Sequence, residues 1–107
     1  RRYPKVDESF AQEPKVFLDD IASEQHTVIE VQCLDQLGLL YRIASTLASM
    51  GLNLVTAHVT TFGELAVDVF YVKDSYGMKL HHDRKRQKVV EALYDVLRSP
   101  QHPRKAG

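Results

Sequence analysis

The residues best placed to bind a ligand are residues 34–38, where a predicted strand gives way to an amphipathic helix. Asp35 can accept backbone N–H groups at the start of a helix, and Gly38 permits a tight turn because it has no Cβ. The amide N–H groups at a helix start lie beside the positive end of the helix dipole and attract a carboxylate or another anion. The pattern therefore predicts either an anion site or an ordinary strand-to-helix turn.

The helix after this junction carries one apolar stripe. Its members recur at the spacing of a single helical face, which predicts that they are buried. They are Leu40, Ile43, Leu47 and Met50. On the same interpretation Arg42, Ser45 and Ser49 face away from the core, and Gly51 ends the helix.

Length, composition and charge fit a single globular domain with a local function. The chain has 107 residues, of which 44% are hydrophobic, and this is enough for a modest core. Its 14 basic and 14 acidic residues cancel, so no overall field recruits nucleic acid or an anionic membrane. No apolar run approaches the roughly 20 residues of a membrane-spanning helix. We therefore expect neither a nucleic-acid partner nor a membrane partner.

The single cysteine and the two ends of the chain carry further expectations. Cys33 can form no intrachain disulfide and no signal peptide opens the chain, both of which favour the cytoplasm. The chain starts at Arg1 without a methionine, which indicates a segment of a longer protein. Residues 1–14 are polar, contain prolines and lack any period, so they are interpreted as a linker. Residues 99–107 are expected to form a flexible tail, because prolines end the helix before them.

Four strands and two helices are predicted between these ends. The strands show alternating apolar residues or apolar runs bounded by turn residues. They are residues 15–21, 26–34, 53–62 and 65–73. The last of them is apolar on both faces except at Asp68, so another surface is expected to cover its second face. Asp83 is a candidate cap for the second helix. The apolar stripe of that helix comprises Val89, Val90, Leu93, Val96 and Leu97.

The order of these elements predicts an α+β fold. A split βαβ sandwich usually has the order βαββαβ, with its last strand antiparallel beside the first. Here no strand is predicted after the second helix, and a short turn allows residues 15–21 to pair with residues 26–34. We therefore expect a ferredoxin-like sandwich of order ββαββα, with a four-stranded antiparallel sheet and two helices on one face. The N-terminal strand takes the place of the usual last strand.

Several stretches of the sequence resemble the ACT domain family. They are Thr27-Val28-Ile29-Glu30-Val31, Asp35-x-x-Gly38-Leu39-Leu40, and Thr60-Thr61-Phe62-Gly63-Glu64 followed by Asp68-Val69-Phe70-Tyr71-Val72-Lys73-Asp74. The resemblance covers roughly residues 15–97. It is most specific to the C-terminal ACT domain of the bacterial bifunctional enzymes that add and remove uridylyl groups on the PII nitrogen signalling protein. That family usually has Arg-Pro where this chain has Gln36-Leu37, a departure that removes a φ constraint and a fixed charge.

The resemblance implies a regulatory ACT domain at residues 15–98 that senses an amino acid, with glutamine as the expected ligand. Amides at the helix start would hold the ligand's carboxylate, Asp35 or a main-chain carbonyl its ammonium, and Asn53 its side-chain amide. The residues expected to bind the ligand are Asp35, Gln36, Leu37, Gly38, Leu39, Leu40 and Asn53.

The same resemblance implies partners. The domain is expected to pair with a second copy or with a neighbouring ACT domain, and to reach PII through a parent nucleotidyltransferase that also has hydrolase activity and uses Mg²⁺. The chain itself shows no nucleophile with a plausible base and no Gly-rich phosphate loop, so no catalytic residue, cofactor or metal ligand is expected in it. Two alternatives are an ACT domain that only mediates pairing and an ACT module of another regulated enzyme.

Other residue patterns leave alternatives open. His81-His82-Asp83 is either a fragment of a metal-dependent phosphohydrolase site or a polar loop before a helix. The cluster of Arg84, Lys85, Arg86 and Lys88 is either a surface for an anion or partner, or a solvated helix face. Phe70 and Tyr71 are compatible with base stacking on an RNA-binding sheet, but the Lys/Arg-Gly-aromatic signature of that module is absent.

Overall fold

The structure is a computed structural model in which residues 13–99 are described. The predicted linker lies outside this range except for residues 13 and 14, and the predicted tail except for residue 99. The elements are strands β1 (Lys15–Asp19), β2 (Thr27–Leu34), β3 (Asn53–Phe62) and β4 (Leu65–Lys73), and helices α1 (Leu39–Ser49) and α2 (Asp83–Arg98).

The strands form one antiparallel sheet in the order β1-β2-β4-β3. The N-terminal strand β1 lies at the edge beside β2, where Val16 pairs with Val31 and Leu18 pairs with Ile29. This confirms the predicted α+β sandwich of order ββαββα. β1 is shorter than predicted because the Asp19 carboxylate accepts the amide N–H groups of residues 21 and 22, which turns the chain out of the sheet.

The hydrophobic core lies between the two helices and one face of the sheet. Every second residue of β2 points into it, as the alternation predicted, and the polar Thr27 among them accepts the Leu80 amide N–H at 2.8 Å. The hydrogen bond compensates the burial of this hydroxyl. The largest fully buried apolar side chains are Phe70, Ile29, Ile43, Leu47, Leu93, Val31, Val72 and Val89.

The other face of the sheet is covered by no element among residues 13–99. On β4 the half-buried side chains of Val67, Val69 and Tyr71 point to this face, whereas Asp68 and Phe70 point to the helices. On the neighbouring strands, registry places polar residues of β2 and β3 beside these side chains. We call this surface the open sheet face; its members include Phe17, Glu30, Gln32, His58, Thr60, Val67, Val69 and Tyr71.

Helix α1 is rotated relative to its predicted orientation. Leu39 is 3% exposed and joins Ile43 and Leu47 in the core, whereas Leu40, which was expected there, is 43% exposed. Positions 39 and 40 are both leucine and both fit helical spacing, so only packing against the sheet distinguishes them. Arg42 does not face solvent as predicted, since its guanidinium donates to the Val96 carbonyl at 2.7 Å. The helix ends just before Gly51, as expected.

Helix α2 begins at Asp83 with His82 as its N-cap, and no side chain caps it, so the prediction of Asp83 as the cap is wrong. Asp83 instead lies in the first turn, where its charge favours the helix dipole. Of the clustered cations, Lys85 donates to the Met50 carbonyl at 2.7 Å and Arg86 forms an ion pair with Asp20 at 2.8 Å. Half of the cluster therefore binds this chain rather than solvent or an external anion.

Candidate functional site

A cleft of about 390 Å³ opens where β2 ends and α1 begins. Six of the seven residues predicted to bind a ligand line it, and two further residues, Val59 of β3 and Asp68 of β4, complete it. We call it the junction cleft. Its lining residues are Asp35, Gln36, Leu37, Gly38, Leu39, Leu40, Val59 and Asp68.

Backbone hydrogen bonds hold the loop that forms the wall of the junction cleft. The Asp35 N–H donates to the Glu64 carbonyl at 2.8 Å, which ties the loop to the β3–β4 turn, and the Leu39 N–H donates to the Gln36 carbonyl at 3.1 Å. Gly38 has φ 76°, a left-handed conformation that glycine adopts without strain. Among residues 13–99, the amide N–H groups of Gly38 and Leu40 have no acceptor. These amides are free to bind an anion at the positive end of the α1 dipole.

The Asp35 side chain does not cap α1, so that part of the prediction is wrong. The N-cap is Gly38, and no side chain bonds to the first amides of the helix. Asp35 lies three residues before the cap, and its own N–H is held by the β3–β4 turn, so its exposed carboxylate is free at the edge of the cleft. This leaves the first-turn amides open to a ligand.

Asn53 does not lie with the other predicted residues. It pairs with Lys73, whereas the cleft lies near the Phe62–Leu65 end of the same hairpin. The reason is the direction of α1, which starts at the cleft and carries the chain to the opposite end of the sheet before β3 begins. An 11-residue helix spans roughly 16 Å at 1.5 Å per residue, too far for Asn53 to contact a ligand bound at Gly38.

Asp68 is the ionisable cleft residue that the sequence interpretation missed. It is 2% exposed, and its Oδ1 has no hydrogen-bond partner among the described residues. Burial raises the pKa of the Asp68 carboxyl above its ordinary value, and the nearby charge of Asp35 raises it further. A sequence signal existed: Asp68 interrupts an otherwise apolar strand at a position that alternation places on the same face as Phe70.

Cys33 also lies near the cleft carboxylates, on β2. Burial raises the pKa of its thiol to about 11, and the charges of Asp68 and Asp35 add to the effect. A thiol with such a pKa stays protonated at neutral pH, and the thiolate is the nucleophilic form. Cys33 is therefore a core residue rather than a reactive one.

The His81-His82-Asp83 segment lies at a separate, shallow cavity of about 230 Å³ that Lys79 and Arg86 also line. Within residues 13–99, no group of three or more His, Cys, Asp or Glu side chains is arranged to hold a metal ion. Both cations at this cavity bind the protein itself. Lys79 donates to the Asp20 and Ser23 carbonyls, and Arg86 forms the ion pair with Asp20. His82 is the N-cap residue of α2, and Asp83 is its first residue.

Comparison with known protein families assigns this fold. The family model described as an ACR9-like, ACT-like domain matches residues 15–102. The chain belongs to the ACT-like domain family. The match includes the four strands, both helices and every residue of the junction cleft.

Curated relatives of this ACT-like domain are bacterial enzymes. The chain is 44% identical over 87 residues to a bifunctional uridylyltransferase/uridylyl-removing enzyme of Azospirillum brasilense, covering 81% of this chain and 9% of that protein. It is 45% identical over 86 residues to the enzyme of the same name from Gluconobacter oxydans, covering 80% and 9%. The chain thus spans about a tenth of the length of these relatives. No solved structure matches it. None of the helices within residues 13–99 is long and apolar enough to cross a membrane.

Proposed function

We propose that this ACT-like domain senses glutamine as the regulatory module of an enzyme that adds uridylyl groups to the PII protein and removes them. The relatives are named bifunctional uridylyltransferase/uridylyl-removing enzymes, and the junction cleft supplies a place for a small ligand. Uridylyl transfer and hydrolysis, any Mg²⁺ they use, and contact with PII belong to the longer protein. This domain acts in the cytoplasm, where its binding of glutamine reports the concentration of that amino acid.

The observation that carries this proposal is the set of free amides at the start of α1. A ligand carboxylate placed in the junction cleft accepts the N–H groups of Gly38 and Leu40, beside the positive end of the helix dipole. Charge-assisted hydrogen bonds of this kind are stronger than neutral ones. Gln36 lines the same cleft and can both donate to and accept from a side-chain amide, a role that the position of Asn53 does not allow.

The charges of the cleft favour a neutral amino acid over an acidic one. Its lining includes the carboxyl groups of Asp35 and Asp68 and no lysine, arginine or histidine. A second carboxylate on the ligand would therefore meet like charge without a counter-ion. Glutamine satisfies this restriction, whereas glutamate and 2-oxoglutarate do not.

We expect calorimetric titration of the full chain at neutral pH to show saturable binding of L-glutamine. L-glutamate differs from it only in the side-chain carboxylate and serves as the matched control. Repulsion from the cleft carboxylates should weaken its binding at least about tenfold, which corresponds to about 1.4 kcal/mol. Equal affinity for the two ligands would contradict the proposed selectivity, and the absence of any amino-acid binding would contradict the sensing function.

Pairing is the second part of the proposed function, and strand β3 supports it. β3 is a ten-residue edge strand, and all of its side chains except that of Ala57 are exposed. The exposed fraction of Val55 is 54% and that of Phe62 is 63%. A long edge with apolar side chains is a template for another strand. A partner strand here would also close the junction cleft, because Val59 of β3 lines it. The partner is a second copy or a neighbouring ACT domain of the longer protein.

We expect the full chain to self-associate in a concentration-dependent way, and Val55→Lys to weaken this association about tenfold or more. The variant loses a buried apolar contact in the pair and adds a lysine, which opposes strand pairing at an edge. Phe17→Lys is the matched control, since Phe17 is 47% exposed on the opposite edge strand β1. Sedimentation velocity over a wide concentration range measures both effects.

The two variants also distinguish the surfaces that could form the pair. Weakening by Phe17→Lys alone would show that the open sheet face or the β1 edge forms the contact instead of β3. A chain that stays strictly monomeric at high concentration would contradict pairing between copies. The neighbouring ACT domain would then be left as the partner.

A further inference from the structure

Asp68 is an ionisable side chain buried in the junction cleft without a protein partner. It is 2% exposed, and its Oδ1 bonds to nothing among residues 13–99. Burying a carboxylate without a counter-charge is unfavourable, so such groups are normally paired with a cation or fully hydrogen-bonded. A buried carboxyl that lines a cleft and lacks both partners is arranged for a group that arrives from outside.

The surroundings of Asp68 specify the charge of that group. The lining residues of the cleft include no cation, and the charge of the Asp35 carboxylate acts on Asp68 and repels it. Two carboxyl groups in one partly desolvated space favour a positively charged ligand group. The free amides of Gly38 and Leu40, which line the same cleft, favour a negatively charged group.

We propose that Asp68 binds the ammonium group of the amino acid, while the α1 amides bind its carboxylate, so that the cleft accepts only free α-amino acids. This inference rests on the proposed sensing function and adds the residue that recognises the amino group. Asp35 was expected in that role, but its carboxylate is exposed at the edge of the cleft and is screened by solvent. Asp68 is buried, so its pairing with a cation is screened far less.

The presence or absence of an ammonium group divides candidate ligands into two classes. Glutamine carries both an ammonium group and a carboxylate, so it binds Asp68 and the α1 amides at the same time. The 2-oxo acid of glutamine and N-acetyl-L-glutamine keep the carboxylate and the side-chain amide but have no ammonium group. They leave Asp68 buried and unpaired, as in the free protein, and are therefore expected to bind weakly.

The first test is calorimetric titration of the full chain and its Asp68→Asn variant with glutamine and these two analogues. Asparagine keeps the shape of the side chain but removes its charge, so the affinity for glutamine should fall about 10- to 100-fold. Glutamine should bind the original chain far better than either analogue, and the variant should lose most of this preference. Asp95→Asn is the matched control, because Asp95 is exposed on α2 and lines no part of the cleft. Its affinities should be unchanged.

A second measurement needs no variant and follows the Asp68 carboxyl carbon by NMR during a pH titration. Bound ammonium stabilises the ionised carboxylate, so saturating glutamine should lower the pKa of Asp68 from its raised value in the free protein. The other titratable groups facing Asp68 are Asp35 from the loop and Cys33 from β2, whereas α1 and β3 contribute only leucine and valine.

The outcomes separate this inference from the function on which it rests. If no amino acid binds the original chain, the sensing function fails and the role of Asp68 fails with it. If glutamine binds but the analogues bind equally well and the Asp68 titration does not move, only the assignment of Asp68 is overturned. Selective loss of glutamine affinity in Asp68→Asn, with unchanged affinity in Asp95→Asn, establishes the assignment.

Discussion

Deletion of residues 1–22 is expected to leave most of the ACT-like domain unfolded at 25 °C. The deletion removes β1, which pairs with β2 and covers the core with Val16 and Leu18. Val16 is buried and Leu18 is partly buried, so the two side chains contribute at most about 6 kcal/mol. A small domain has a free energy of unfolding of only about 5–15 kcal/mol. The loss of β1 also leaves the backbone edge of β2 without a partner strand.

The deleted residues of β1 and of the turn after it also hold helix α2 in place. The Val16 N–H donates to the Tyr94 hydroxyl at 3.0 Å, and Asp20 forms an ion pair with Arg86 at 2.8 Å. The Asp20 carbonyl in addition accepts a hydrogen bond from Lys79. β1 and the turn after it therefore connect the edge of the sheet to the helix layer, and the effect of their loss extends beyond the burial of their side chains.

Deletion of residues 99–107 is the matched control for this experiment. Within the described residues it removes only the contacts of Ser99, whose carbonyl accepts from Arg42 at 3.3 Å and whose hydroxyl bonds to the Asp95 carbonyl. We expect a loss of roughly 1 kcal/mol, the net value of a typical hydrogen bond. Urea unfolding followed by circular dichroism measures both deletions. Equal midpoints for the two shortened chains would be incompatible with the structural role given to β1.

Gly38→Val is expected to abolish measurable glutamine binding. Gly38 has φ 76°, and a β-branched residue at such an angle is strained by about 1–2 kcal/mol. Relieving this strain requires the backbone at position 38 to rotate to a negative φ. That rotation turns the amides at the start of α1 away from the junction cleft, and the bond from the Arg42 N–H to the Gly38 carbonyl is strained as well. The anion site is therefore lost even where the rest of the domain stays folded.

Gly77→Val separates this effect from general destabilisation. Gly77 has φ 79°, and a Cβ added there meets nothing within 4 Å. It lies in the loop after β4, at the end of the sheet opposite to the junction cleft. Both variants should lose comparable stability in thermal melts, but only Gly38→Val should lose glutamine binding by calorimetry. A folded Gly38→Val variant that binds glutamine as well as the original chain would show that the ligand lies elsewhere.

Contiguous residues determined most of the fold. The β3–β4 hairpin has the predicted bounds, because Gly63-Glu64 forms its turn and the residues on either side are strand formers. The alternation of β2 likewise indicated which of its residues are buried. Even the unusual place of β1 followed from the order of elements, since a short connection to β2 leaves an antiparallel edge position as the simple solution.

Six of the seven residues expected to bind a ligand line one cleft, because those six are adjacent in the chain. Asn53 was expected in the same site, as the residue at the start of the adjacent strand. The helix instead carries it to the far end of the sheet, beside Lys73. Nearness along a chain implies nearness in space only over a few residues, because each helical residue advances the chain by roughly 1.5 Å.

Only the tertiary structure decided which of two adjacent leucines enters the core and what Asp68 faces. Leu39 and Leu40 have the same chemistry and differ by about 100° around the helix, so the position of α1 over the sheet selects Leu39. Alternation along β4 orients Asp68 toward the helix layer, but a buried carboxyl can meet either apolar side chains or an open cleft. Asp68 meets the cleft because the start of α1, 30 residues earlier in the sequence at Gly38, packs above this part of the sheet.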